Sequence, residues 1–415
     1  MIRTSALAAV VAAALVVTPA AQAAEPPSAG TWLAGQFVGG DHLVKGPDLV
    51  DHGLTADGVY GLAAAGVGRS TAVRAAAWLA EPEQFQYFAG DGEAESYVGG
   101  LVKLALVAQA LGTDPHAFAG ADLLERLAAL REESGRYRDR TDPDYDQTNA
   151  FTQALAIIVL TRADQPVAQP VAFQVSTQCA DGGFPISFGQ PVCKSDVDAT
   201  AIVLQALQAA GEPTASARAL DWLVAQQKAD GGFPSALQGS NANSTGLAVG
   251  ALVEGGRTAA ADRAVAYLRS LQVGCAGPEA ARGAIAYDST GFEVYGAVRA
   301  TTQAMLGLAR KGLADVSFAG ATPGVPAVDC ATPPTTTPPS TTAQPTVPPT
   351  TTAPVTTSST ATPVAPAPAG PTPPATQRLA ATGPEEAVAL TLLGSSALLA
   401  GAVLVLVSRR RKVGA

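Results

Sequence analysis

A phrase recurs five times between Arg74 and Ala276, at a spacing too regular for an ordinary globular chain. Its clearest copy is Arg218-Ala219-Leu220-Asp221-Trp222-Leu223, then Gln227, then Gly231-Gly232-Phe233. The copies are anchored at Trp78-Leu79, Arg126-Leu127, Phe173-Gln174, Trp222-Leu223 and Tyr267-Leu268, with successive separations of 48, 47, 49 and 45 residues. A fixed period of this size marks a repeat architecture, in which each unit buries its apolar face only against its neighbours. The period therefore constrains the fold, and function must lie in what departs from it.

A second feature keeps the same period. Each unit holds a strongly apolar segment that usually runs to a glycine, as Ala199–Leu207 does to Gly211 and Leu247–Leu252 to Gly256. Glycine closes a last helical turn because it accepts the left-handed conformation. The ends are expected at Gly66, Gly112, Arg162, Gly211, Gly256 and Gly312. Six apolar helices then alternate with six amphipathic ones such as Ala215–Gln227. Helices apolar all round belong inside and striped ones outside. The expected fold is all-α, an α6/α6 toroid: a double ring of helices closing at six.

The phrase Arg218-Ala219-x-x-Trp222-Leu223-x-x-x-Gln227-x-x-x-Gly231-x-Phe233 resembles the QW repeat of squalene and terpene cyclases, with Phe where that family prefers Trp. Arg263-Ala264-x-x-Tyr267-Leu268-x-x-x-Gln272 is a second copy, and Gln178 through Gly182 to Phe184 a third. The resemblance covers roughly residues 30–318 and implies the terpene cyclase/prenyltransferase toroid. That superfamily carries several chemistries, so the fold does not choose among them. The repeat Gln is expected to cap a neighbouring helix, and the aromatic ring to pack between units.

The ends of the chain have other uses. Residues 1–23 read as a secretory signal: Arg3, an apolar run from Ala6 to Val17, and the small-x-small site Ala21-Gln22-Ala23. The toroid is expected over 24–330. Residues 331–378 are almost only Pro, Thr, Ala, Ser and Val, a disordered, extended stalk. Leu379-Ala380-Ala381-Thr382-Gly383 (379–383), the apolar run 387–407 and the basic tail 408–415 together resemble a sortase sorting signal of high-GC Gram-positive bacteria. That resemblance implies cleavage between Thr382 and Gly383, with a sortase and a cell-wall precursor as partners. Otherwise the apolar run is a transmembrane anchor, and either way the protein is exported and held at the cell surface.

The formal charge is −9, and without the basic tail the chain is more acidic still. With no basic cluster on the toroid, charge argues against nucleic acid as a partner. Cys179, Cys193, Cys275 and Cys330 form an even set in an exported chain, so disulfides are expected. Three pairings exist. Cys179–Cys193 would clamp the loop carrying Asp181–Pro185, and Cys275–Cys330 would pin the end of the domain. His42, His52 and His116 lie far from the cysteines, and no Cys-x-x-Cys is present, so neither metal nor cofactor is expected.

Candidate chemistry lies where the inner helices begin, aligned at Gly53, Gly99, Asn149, Asp198, Asn243 and Arg299, with Asp144, Asp146, Asp196, Asn241, Asp288, Glu293 and Tyr295 around them. Asp and Asn at helix starts cap unpaired N–H groups; the alternative is a polar mouth that binds a ligand. Asp196-Val197-Asp198-Ala199-Thr200-Ala201 resembles the Asp-x-Asp-Asp-Thr-Ala motif of class II terpene cyclases, which implies Asp198 as general acid and Asp196 as its neighbour. Ala199 replaces the third Asp, aromatics make up only 5% of the chain, and a cavity for carbocations needs aromatic walls. The expected role is therefore a surface module binding a glycan, isoprenoid or protein without catalysis. A glycan-active enzyme with a carboxylate pair at the mouth and a residual cyclase are the alternatives. Asp144, Asp146, Asn149, Asn243, Glu293, Tyr295 and Arg299 are the candidate ligand-binding residues.

Overall fold

A computed structural model describes residues 26–330 apart from Pro143, Asp144, Leu237 and Asp329. The signal segment, the stalk, Thr382 and Gly383 of the sorting motif, the run 387–407 and the basic tail lie outside the described residues, as does candidate Asp144. Among the described residues, thirteen α-helices follow in order: α1 (Pro26–Ala34), α2 (His52–Ala65), α3 (Arg69–Leu79), α4 (Pro82–Ala89), α5 (Val98–Leu111), α6 (Leu123–Ala128), α7 (Ala150–Arg162), α8 (Ala168–Ser176), α9 (Val197–Ala209), α10 (Pro213–Gln226), α11 (Ala242–Glu254), α12 (Thr258–Ser270) and α13 (Val294–Leu308). No described helix is long and apolar enough to cross a membrane.

The two kinds of helix sort as their composition requires. In α7 every residue from Ala150 to Leu160 is buried, whereas α10 buries only Ala215, Ser216, Ala219, Leu220 and Leu223 along one stripe. Helices α2, α5, α7, α9, α11 and α13 each pack on the next, and α13 packs on α2, closing the inner ring at six. Helices α1, α3, α6, α8, α10 and α12 lie outside them. Helix α4 is an addition that the period does not announce.

The repeat phrase builds the seams between units. Gln178 Nε2 donates to Gly182 O (2.8 Å) in its own turn and to Ala215 O (2.9 Å) in the next outer helix. Gln227 repeats this with Gly231 O (2.8 Å) and Ala260 O (2.9 Å). Gln272 bonds Gly283 O and Ser28 Oγ, both at 2.9 Å, joining the last unit to α1. The glutamines therefore strap carbonyls and a hydroxyl across the seam and do not cap N–H groups, contrary to the sequence expectation. The glycine that follows is required by both conformation and space. Gly231 has φ 89°, and a Cβ there would stand 2.5 Å from Arg263 O. The aromatic that ends the phrase is a core plug, with Phe184 and Phe233 fully buried.

Helix ends largely follow the glycines, with Gly66 and Gly112 left-handed at the caps of α2 and α5. The sixth end is a correction. α13 stops at Leu308, and Arg310 takes the left-handed turn (φ 55°) instead of Gly312. Gly312 instead begins a segment that crosses the C-terminal end of the inner ring. There Leu313 N donates to Gln205 Oε1 (2.8 Å), and the Arg162 guanidinium donates to Ala314 O and Val316 O. Both expected disulfides form, Cys179–Cys193 and Cys275–Cys330.

Replacing Gln227 with Leu leaves Gly231 O and Ala260 O without their shared donor. A loss of about 1–3 kcal/mol in unfolding free energy is expected, read by denaturant titration against the wild-type protein.

Candidate functional site

The six inner helices start at one end of the ring, so their first turns define its mouth. Most of the polar residues there cap. Asp51 accepts from Leu54 N, Asn149 from Phe151 N and Thr152 N in a capping box, Asp196 from Ala199 N, Asn241 from Ser244 N, and Glu293 from Tyr295 N and Gly296 N. Helix α5 starts at Tyr97, which gives no side-chain cap. Asp139, from the loop before α7, instead accepts from Val98 N (2.7 Å) and Gln147 N (3.1 Å). Burial raises Asp139 to a pKa of about 6, against the pull of those two N–H donors.

This corrects the expected helix starts. Only Asn149 is one. Gly53, Gly99, Asp198 and Asn243 are each the second residue of their helix, and Arg299 is the sixth of α13. The second residues around the ring, from α2 to α13, are Gly53, Gly99, Phe151, Asp198, Asn243 and Tyr295. One turn below, the sixth residues are Asp57, Lys103, Leu155, Ile202, Leu247 and Arg299. The first five of these line a small axial cavity, as does Phe151. Residues four apart share a helix face, so the second residues stand on the axial side, over the cavity.

The sixth-residue level is divided. Leu155, Ile202 and Leu247 make one half apolar. On the other half, Lys103 Nζ donates to Asp57 Oδ1 (2.5 Å) and Gly53 O (3.1 Å), and Arg299 Nη2 to Asp51 Oδ2 (3.3 Å). These four charges pair off within the protein. The cavity measures about 40 Å³, space for a few waters and far below the several hundred Å³ of a typical ligand pocket. Leu313 closes it from below.

At the mouth, Asp198 and Asn243 occupy equivalent positions on neighbouring helices, and both are half-buried. Asp198 Oδ1 and Asn243 Oδ1 are shielded from solvent and have no hydrogen-bond partner among the described residues. Burial raises Asp198 to a pKa of about 7; the neighbouring Asp196 raises it further, and a hydrogen bond with Ser244 opposes the rise. Asp196 is itself raised, mainly by burial, against the backbone N–H groups it accepts from. Asp198 therefore holds its proton far above the ordinary carboxyl range. Thr200 of the same motif is structural, accepting from Phe184 N (2.8 Å), and Thr245 does the same for Phe233 N (2.9 Å).

The ring thus brings Asp198, Asn243, Tyr295 and Arg299 to the axis and leaves the other candidates in the frame. Asn149, Glu293 and Asp196 cap helices. Asp146 is held by Arg136 (2.8 Å), Arg138 (3.3 Å) and the Thr148 hydroxyl (2.7 Å). Sequence reasoning missed Asp57, Lys103, Phe151 and Asp139. Lys103 had a signal: a single charge inside the apolar run Val98–Leu111, one period from Asp57. The role of Asp139, which caps a helix from a distant loop, had none. Also unforeseen is a column of rings in which His52 lies 4.8 Å from both Trp78 and Tyr87, and His42 stacks on Trp78 at 4.9 Å.

No protein-family model matches the chain, and no curated protein matches it in sequence. Solved structures share its fold. The type II terpene cyclase MstE from Scytonema superposes with a TM-score of 0.52 at 14% identity, covering 68% of this chain and 96% of that one. An inactive variant of an α-1,6-mannanase from Salegentibacter, in complex with α-1,6-mannotriose, superposes with a TM-score of 0.50 at 12% identity, covering 70% and 98%. The fold is a terpene-cyclase-like α/α toroid. At these identities the likeness is one of fold.

Asp198 gives a pH signature with a definite sign. Its carboxyl titrates near 3.8 in the unfolded chain and at about 7 in the folded one, so the folded state holds the extra proton between those values. Its contribution to stability is full below the lower value and is lost as pH rises through the upper one. Between about pH 4 and pH 7 the wild-type melting temperature should fall more steeply than that of Asp198→Asn, and above about pH 8 the two slopes should match. Equal slopes in paired thermal melts would place the titrating group elsewhere.

Proposed function

We propose that this chain is an exported surface protein whose toroid binds a ligand at its mouth without transforming it. The observation that carries the reading is the pair of buried, unpartnered acceptor oxygens on Asp198 and Asn243, at equivalent positions above a narrow axial cavity. Buried polar groups ordinarily have partners. Two half-buried polar side chains that cap no helix and keep an unpartnered oxygen suit a partner that arrives from outside. The two disulfides are compatible with an extracellular protein. Attachment through Leu379–Gly383, with Thr382 joined to the wall, remains part of this proposal.

Two enzymatic readings compete on the same fold. The raised carboxyl of Asp198 is what a class II cyclase acid needs, since only a protonated group donates to so weak a base. Against it stands the axis, where Phe151, Leu155, Ile202, Leu247 and Leu306 line a cavity of about 40 Å³, too small for a polyprenyl chain. A glycoside hydrolase needs a second carboxylate across the cleft. Among the described residues, Asp196 and Glu293 cap helices, and Asp51, Asp57 and Asp146 are ion-paired. The binding reading is the one these contacts favour.

A thermal-shift panel of envelope glycans, isoprenoid alcohols and peptides tests it. At least one probe should raise the melting temperature of wild type and not of Asn243→Ala, while product analysis finds that probe unchanged. Turnover of a geranylgeranyl substrate or release of reducing sugar, lost in Asp198→Asn, would overturn the non-catalytic reading.

A further inference from the structure

We infer that one sector of the mouth face is a docking surface for a cationic amphipathic helix, formed by the connections that lead into α2, α5 and α13. It uses neither Asp198 nor Asn243, goes beyond the reading above and stands or falls separately from it. The first ground is where apolar surface is left open. Among the described residues, eleven large hydrophobic side chains are exposed, and six of them are Val38, Leu49, Val50, Tyr87, Phe292 and Val294. All six lie in these three connections or at the first residue of α13. Helix α13 packs on α2 and α2 on α5, so the three connections are neighbours on the mouth. An aromatic base holds them in place: Trp32 meets Phe292 edge-on at 6.2 Å, and Tyr87 lies 4.8 Å from His52.

The second ground is charge. Connections 35–51, 80–97 and 271–293 hold eleven carboxylates against two cations, Lys45 and Arg282. The connections into α7, α9 and α11 (129–149, 177–196 and 227–241) hold nine against six. Lys45 is itself engaged with Asp51 at 4.0 Å, whereas Asp48, Glu83, Asp91, Glu93 and Glu279 are exposed. The apolar patch thus lies in the most acidic sector of the mouth, which suits a partner bringing apolar and basic groups together. The span selects a helix. Adjacent inner helices lie about 8–10 Å apart, so the run from Phe292 past Val50 to Tyr87 covers on the order of 20 Å. About 13 residues of α-helix match that length, presenting one apolar stripe with Lys and Arg on its flanks. An extended segment would turn alternate side chains away. Other occupants fit less well. A second copy would set the same carboxylates face to face across a two-fold axis. An anionic lipid surface would be repelled, and a simple cation would leave the apolar side chains uncovered.

Fluorescence anisotropy on the full chain tests this, with a labelled peptide of sequence KLAKLAKKLAKLAK as probe. Two controls keep one property each: ELAELAEELAELAE is amphipathic but anionic, and KGSKGSKKGSKGSK is cationic but not apolar. The probe should bind about tenfold or more tighter than either control, and tighter at low salt than at high. Leu49→Ser with Phe292→Ser should weaken it about tenfold and leave the melting temperature unchanged, since both side chains are exposed. Asp48→Asn with Glu93→Gln should weaken it and flatten the salt dependence. Asn accepts the left-handed conformation of Asp48 (φ 56°). Val253→Ser with Glu254→Gln removes an exposed apolar and acidic pair at the other end of the ring and should change nothing. Equal losses there and at the mouth, or equal binding of the Lys-Gly-Ser peptide, would mean diffuse attraction to an acidic protein and overturn the surface. Preference for the glutamate peptide would overturn the charge argument. Capture by phosphatidylcholine vesicles without any peptide, or dimerisation lost in Leu49→Ser with Phe292→Ser, would give the patch to another occupant. No response to the probe up to about 1 mM would overturn the proposal outright.

Discussion

Closure of the inner ring is the constraint on which everything else depends. A six-unit repeat left open would expose the apolar flanks of α2 and α13. Their packing, and the strap from Gln272 to Ser28 in α1, remove both edges at once. Closure also fixes the direction of every inner helix. Six first turns must meet at one end, and the second residue of each must stand near the axis. The site is thus a consequence of the repeat, and its character depends on six residues that the repeat leaves free to vary.

The same geometry explains how charge is tolerated on the axis. Buried ions are costly unless their partners are close and their remaining valences are filled. Lys103 meets that condition through Asp57 and the Gly53 carbonyl, and Gly53 has no side chain to crowd the ammonium. Arg299 meets it through Asp51, which also caps α2. The charged pairs fall on the α13–α2–α5 side and the apolar residues on the α7–α9–α11 side, so the toroid's axis is polar on one flank only. Asp198 and Asn243 stand above the apolar flank, which is why their oxygens find no partner below.

Period and composition made the ring legible in the sequence. Glycines at Gly66 and Gly112, the all-apolar run of α7 and the even cysteine set each carry local physical meaning that survives folding. Register was harder to read. Counting back from helix ends placed the starts two residues too late at Asp198 and Asn243, because Asp196 and Asn241 are equally good caps and only backbone geometry separates the two. That shift of two changes a residue's direction on the helix by more than half a turn, from the cap to the axis. Contacts made across long stretches of chain had no local signature at all, as with Asp139 capping α5 and Gln205 holding Leu313.

Asp198 shows how a fold can keep part of a chemistry without the rest. Its resemblance to a cyclase acid is carried by the Asp-x-Asp spacing, and the structure gives it the raised proton affinity that such an acid requires. Burial produces most of that effect, with the neighbouring Asp196 adding to it. A protonated Asp198 can still donate one hydrogen bond and accept another, beside an amide that does the same. On the proposed binding reading, the features that suit Asp198 to acid catalysis suit it equally to recognition, and the volume of the axis is what weighs between the two.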